Sequence, residues 1–197
     1  MPYPTSEEFA ELLGRSKLQD VVESYIFRGL PYAFRDDETS YLRLVAHVSD
    51  GLGVPGENLT LIGSGRIGFS LDPAKYGTPF SDASDLDMVV VSPELFDACW
   101  LDLLRPRRGY HRLPQSVQSW HLDHRQHVYY GRIWPHKLPG IVDLSRRWFN
   151  VFKSASRYPE LAVHEVHGLL YRTWDHAKFY HVYGLGLILR RLKSKET

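Results

Sequence analysis

The sequence predicts an α+β domain in which helices flank a small mixed sheet. Two observations carry this. Apolar residues recur at helical spacing in two early segments, first Phe9, Leu12, Leu13, Val21, Val22 and Tyr25, then Tyr41, Leu44, Val45, Val48 and Leu52. Short apolar runs between the helical segments, Leu59–Ile62 and the β-branched Leu86–Val91, read as buried strands. Helical additions around such a sheet define the class.

In chain order, residues 5–27 are expected to be helical, with a break at Gly14. Thr5 and Glu8 have capping-box spacing, and Gly29-Leu30-Pro31 ends the segment. A second helix is expected over 38–53, stopped by Gly51, Gly53, Pro55 and Gly56. Strand Leu59–Ile62 then runs into the turn Gly63-Ser64-Gly65-Arg66-Ile67-Gly68 and a short helix. Residues 72–83, with Pro73, Gly77 and Pro79, read as loop. After strand Leu86–Val91, Ser92-Pro93-Glu94 opens a helix reaching Leu104, with proline in its favoured first turn. Acidic Glu94 and Asp97 suit that helix start. A basic loop follows, with Arg105, Arg107, Arg108, His111 and Arg112. Strands are expected at His127–Trp134, Ile141–Leu144 and Val163–Arg172, and helices at Ser145–Ser154 and Thr173–Lys193. The whole reads as one domain: a helical part at 1–56, a core at 57–172 and a C-terminal helix at 173–197.

A chain of 197 residues buries an adequate core without staples. Hydrophobic content of 43% and charged content of 24% fit an ordinary globular protein. A net charge of +1 argues against a general nucleic-acid coat protein. Cys99 stands alone, so no internal disulfide forms and a reducing compartment fits. The polar start lacks an apolar signal core, and no run approaches the roughly 20 apolar residues of a membrane span. The expectation is a cytoplasmic protein without membrane insertion.

The chemistry lies in Leu61-Ile62-Gly63-Ser64-Gly65-Arg66 and Ser84-Asp85-Leu86-Asp87-Met88-Val89-Val90-Val91. Alternation puts the carboxylates of Asp85 and Asp87 on one face of a strand's mouth. Two hard oxygen donors side by side suit Mg²⁺ or Mn²⁺, which share coordination with phosphate oxygens. Small residues at Gly63 and Ser64 let backbone N–H groups approach phosphate, and the Ser64 hydroxyl can donate. Gly63-x-Gly65-x-x-Gly68 is also a literal dinucleotide fingerprint. That unit needs a full helix after its glycines and an acid at the carboxyl end of the next strand. Here Pro73, Gly77 and Pro79 follow, and the acids precede the apolar run.

The combined motif, over residues 59–91, resembles the polymerase-β nucleotidyltransferase superfamily: strand, Gly-Ser turn, short helix, then Asp-x-Asp on the next strand, here with Ser84 before the acids. The flanks, with Gly29-Leu30-Pro31-Tyr32-Ala33-Phe34 and Tyr171-Arg172-Thr173-Trp174, are similar to small stand-alone bacterial members, including the defence-associated Hailong type. The resemblance implies a polymerase-β-like core and metal ligation by Asp85 and Asp87. It implies substrate contacts by Gly63, Ser64, Arg66 and Ser84. It also asks for a third carboxylate on a later strand. Asp143 is the candidate for metal and catalysis, although the same residue reads equally as an N-cap for the helix at Ser145. Asp123 and Glu165 stand in reserve.

Several features have a plainer explanation. His121, His124 and His127 lack the cysteine partners of a zinc site and suit hydrogen bonding better. The basic loop is either a solvated surface or a guide for polyphosphate or oligonucleotide. Lys75 is a weaker phosphate candidate. Tyr171, Trp174, Phe179, Tyr180 and Tyr183 at helical spacing suit a core more than a stacking platform, and Tyr180 or Tyr183 could offer a priming hydroxyl.

The resemblance implies a metal-dependent, template-independent transferase. It would move a nucleoside monophosphate from an NTP or dNTP, ATP included, to a hydroxyl, releasing pyrophosphate. The expected product is a short oligonucleotide or nucleotide signal in phage defence, read by an effector protein. Two alternatives stay open: an adenylylating enzyme of a toxin–antitoxin pair, and an inactive nucleotide-binding module.

Overall fold

A four-stranded mixed sheet organises the computed structural model of this chain, in the order β1-β2-β4-β3. The structure describes residues 3–104, 125–138, 143–156 and 164–194, with the single positions 112, 114, 115, 118 and 158. The strands are β1 (Leu59–Ile62), β2 (Leu86–Val91), β3 (Arg132–Ile133) and β4 (Val166–Tyr171). β1 runs antiparallel to β2, β2 parallel to β4, and β3 antiparallel to β4. The class is mixed α+β.

Period-two alternation divides the core into two layers. Leu86, Met88 and Val90 of β2 point to one face with Leu59, Leu61, Val166 and Leu170. Helices α3 (Glu38–Leu52), α5 (Pro93–Leu104) and α6 (Asp143–Ala155) cover that face through Leu44, Val48, Phe96, Trp148 and Phe152. Val89 and Val91 point to the other face with Ile62 and Tyr171. It is covered by α1 (Ser6–Arg15), by α2 (Leu18–Val21) continued as π-helix Val22–Phe27, and by α7 (Trp174–Lys193). A short helix α4 (Ser64–Ile67) links β1 to the 69–85 segment. Because β2 is buried on both sides, its sequence is a continuous apolar run interrupted only by Asp87.

Local chemistry sets the helix ends. Thr5 and Glu8 form the expected reciprocal capping box on α1. Asp37 caps α3, and Gly53 closes it in the left-handed conformation. Thr173 caps α7 by accepting from the His176 N–H.

Some expected elements differ. The first helix breaks at Ser16, which is extended, and not at Gly14, which lies inside α1. Residues 125–129 are helical, and only Arg132–Ile133 of the expected 127–134 strand pairs, at the end of β4. Gly131, at φ +67°, turns the chain between them, and Pro135 ends the pairing. The expected strand at 141–144 is also corrected. Residues 141 and 142 lie outside the described residues, and Asp143 and Leu144 belong to α6. The stripe Trp148, Val151 and Phe152 makes that segment a helix lying on the sheet. Among the described residues, no helix is long and apolar enough to cross a membrane.

α6 packs tightly on the sheet at Gly168 of β4, where a Cβ would overlap the rings of Phe152 and Trp148. Gly168→Ala is therefore expected to destabilise the fold by about 1–3 kcal/mol through overpacking. The urea midpoint checks this, and an unchanged midpoint would contradict such tight packing.

Candidate functional site

The site grows from the register of β1, β2 and β4. Asp87 is the second residue of β2, and it pairs with Ile62 of β1 on one side and His167 of β4 on the other. Asp87 and His167 share the sheet face of Val89 and Leu169, but at the strand mouths, where the apolar layer stops. Asp85, just before β2, is 59% exposed in its side chain, and Glu165, just before β4, is 79% exposed. Backbone pairing ties the two segments together, with the Leu86 N–H donating to the Glu165 carbonyl at 2.8 Å.

These strand mouths gather three possible metal ligands. His167 Nε2 lies 3.9 Å from Asp85 Oδ2 and 3.5 Å from Glu165 Oε2. Ligand atoms of Asp85, Glu165 and His167 all fall within 4.8 Å of one another. Asp87 stands outside this triplet and faces a cavity instead. Burial pushes its carboxyl above the usual range; the His167 imidazole opposes the shift and Asp85 adds to it.

The cavity holds about 650 Å³, enough for a nucleotide-sized ligand. Gly63, Asp87 and His167 line it, together with Trp134, Lys137, Tyr180 and Tyr183. Gly63 has φ +67° and ψ −150°, a conformation essentially confined to glycine. A Cβ there would point at Asp87 Oδ2, 3.5 Å away, so the turn and the acid approach each other closely. Ser64 follows as the first residue of α4.

Other expected residues have partners within the fold or lie outside the described residues. Arg66, expected at the substrate, is 3% exposed and donates to the carbonyls of Tyr25 and Gly29. It thereby satisfies acceptors at the end of the π-helix, and it lines a separate cavity of about 270 Å³. The Ser84 hydroxyl accepts from the Ser81 N–H at 3.1 Å and closes the turn before Asp85. Its carbonyl accepts from His164 Nδ1 at 2.7 Å. Lys75 is exposed in the 73–77 turn. Asp143 sits on α6, in the layer opposite Asp87, and its side chain lies outside the described residues, as do Asp123, Arg105, Arg107, Arg108, His111, His121 and His124. His127 accepts from Arg132 Nε at 3.0 Å and lies tilted against Trp134, a hydrogen-bonding role.

Sequence reasoning held Glu165 in reserve and missed His167. A signal was present: Glu165-Val166-His167 repeats the polar-apolar-polar spacing of Asp85-Leu86-Asp87. Trp134 and Lys137 carried no comparable sign, because they reach the cavity from a short 3₁₀ turn after β3. No protein-family model, curated protein or solved structure matches the chain.

The donor set fits a divalent cation. Carboxylate oxygens suit Mg²⁺ or Mn²⁺, and the imidazole shifts the preference toward Mn²⁺. Mn²⁺ is expected to bind in electron paramagnetic resonance titrations. Asp85→Asn with Glu165→Gln should weaken it at least about tenfold. Equal Mn²⁺ affinity in that double variant would place the ion elsewhere.

His181 of α7 also lines the cavity, packed edge-on against Phe27 and Tyr180. Its Nε2 is shut off from solvent without a hydrogen-bond partner, and burial lowers its pKa to about 4 from 6.5. The unfolded chain therefore takes up this proton first as pH falls. Stability linked to neutral His181 is complete above 6.5 and is lost between 6.5 and about 4. His181→Leu should flatten this part of the melting-temperature profile, and parallel profiles for the two proteins would refute the assignment.

Proposed function

We propose that the protein is a divalent-metal-dependent nucleotidyltransferase of polymerase-β type. One observation carries the proposal: Gly63, in its glycine-only conformation, lies against Asp87 in a cavity also lined by His167, whose imidazole stands beside Asp85 and Glu165. The Gly-Ser turn and Asp-x-Asp strand of the sequence resemblance thus meet at one place, which neither motif requires alone.

In this reading the turn at Gly63-Ser64 holds the triphosphate through backbone N–H groups and the Ser64 hydroxyl. Asp85 and Asp87, with Glu165 and His167 beside them, would hold the cation. When bound, the ion supplies charge neutralisation for the triphosphate. The acceptor hydroxyl oxygen forms a bond to the α-phosphorus, and the bond from that phosphorus to the bridging oxygen of the β-phosphate breaks. Pyrophosphate leaves with the bond's electron pair, and the hydroxyl proton passes to a carboxylate at the strand mouth. Positioning and charge neutralisation account for most of the rate in such reactions. The resemblance also supports the biological setting, a short oligonucleotide or nucleotide signal in bacterial defence.

His167 favours a second reading. On the later strand β4 the residue paired with Asp87 is an imidazole and not the third carboxylate that the resemblance asks for on a later strand, which suits a module that binds a nucleotide without turning it over.

Incubation with each α-labelled NTP and dNTP and Mg²⁺ or Mn²⁺ separates the two. Transfer predicts label in a nucleotide product or on protein, with pyrophosphate release. Asp85→Asn or Asp87→Asn should lower the rate about a hundredfold or more. Saturable nucleotide binding by calorimetry with no pyrophosphate from any nucleotide would establish the second reading.

A further inference from the structure

Four large aromatic side chains stand in solvent in the α7 and 125–131 region. Tyr129 is 81% exposed, Tyr130 48%, Phe179 63% and Tyr183 57%. Phe179 and Tyr183 depart from the core role that their spacing suggests. The rings are not scattered. Tyr130 and Phe179 lie nearly parallel, 13° apart with centroids at 6.5 Å, and Tyr129 meets Tyr130 edge-on at 5.2 Å. Phe179 and Tyr183, four residues apart on α7, share a helix face. Tyr183 and Tyr180 line the cavity that contains Asp87 and His167, together with Trp134. The strip therefore begins inside the cavity and continues onto open surface.

Cations are interleaved with it. The Arg132 guanidinium lies 4.2 Å from the Tyr180 ring centre and 5.9 Å from that of Trp134. Lys137 Nζ lies 4.1 Å from the Trp134 centre. Among the described residues, no salt bridge joins either cation to a carboxylate. Contiguous exposed apolar area marks a binding surface. This one joins several rings to one another and to the cavity, whereas the exposed Leu42, Trp100, Leu101 and Phe149 lie on α3, α5 and α6 in the opposite layer. Flat rings beside cations match stacked bases and their phosphates better than they match a protein surface.

We propose that this strip seats a single-stranded oligonucleotide, the acceptor of the transfer reaction. Bases stack on Tyr130, Phe179 and Tyr183, phosphates lie toward Arg132 and Lys137, and the terminal hydroxyl enters the cavity near Asp87. The acceptor role rests on the transfer reading; the binding does not.

Fluorescence anisotropy with labelled oligothymidylate and oligoadenylate of about a dozen nucleotides tests it. Both should bind, with affinity falling as salt rises. Tyr130→Ala with Phe179→Ala should weaken binding at least about tenfold, while Phe179→Trp keeps it. Both truncations are at exposed rings, so thermal unfolding should stay close to that of the unaltered protein. Absence of oligonucleotide binding, or equal binding by the double truncation, overturns the proposal. So does a dimer that dissociates on truncation without any oligonucleotide binding, which makes the strip a protein interface. Nucleotide transfer to some other acceptor without oligonucleotide binding removes the strip's role and leaves the transfer reading standing. Oligonucleotide binding without transfer from any nucleotide does the reverse.

Discussion

The parallel pairing of β2 with β4 is the constraint on which the site depends. Its register, from Leu86 beside Val166 to Val91 beside Tyr171, is fixed by two buried faces. A one-residue slip would carry Met88 and Val90 out of one core layer and Asp87 into the other. The cost of burying that carboxylate among Leu61, Trp148 and Phe152 makes the slip prohibitive. The same pairing brings the mouths of both strands level, so that Asp85 and Glu165 precede their strands together and Asp87 and His167 enter them together.

The consequence is a site with two characters. At the strand mouths, exposed carboxylates and an imidazole cluster in solvent, where charge is cheap to hold and a cation can replace water. Just inside, Asp87 sits at the boundary of an apolar layer, and burial raises its carboxyl against the opposing pull of His167. Gly63 presses the backbone of the β1–α4 turn toward that boundary. Only glycine tolerates the backbone conformation there, which is why a small residue follows β1.

Arg66 illustrates how a motif residue can serve the fold. Its neighbours in sequence shape the turn, but its guanidinium runs back to the carbonyls of Tyr25 and Gly29 and anchors α4 to the N-terminal helices. The turn is thereby held from behind.

Much of the architecture was legible in residue pattern alone. Capping at Thr5 and Glu8, the stripe from Tyr41 to Leu52 and the apolar runs at 59–62 and 86–91 specify local structure through short-range chemistry, and these elements form where the pattern puts them. The nearness of the Gly63 turn to Asp87 was also readable, because β1 and β2 are neighbours in sequence. What the chain's order could not give was the partner on the far side of β2. Glu165 and His167 come from about eighty residues away, and their meeting with Asp85 depends on a parallel register that no local preference encodes. For the same reason, Asp143 read equally as a strand acid and as a helix cap, and the stripe of Trp148, Val151 and Phe152 makes its segment the start of a helix on the opposite layer. Phe179 and Tyr183 read as core because spacing marks a helix face without telling which way it turns. Tertiary packing decided that α7 buries Ala177, Leu185 and Ile188 and leaves those two rings in water.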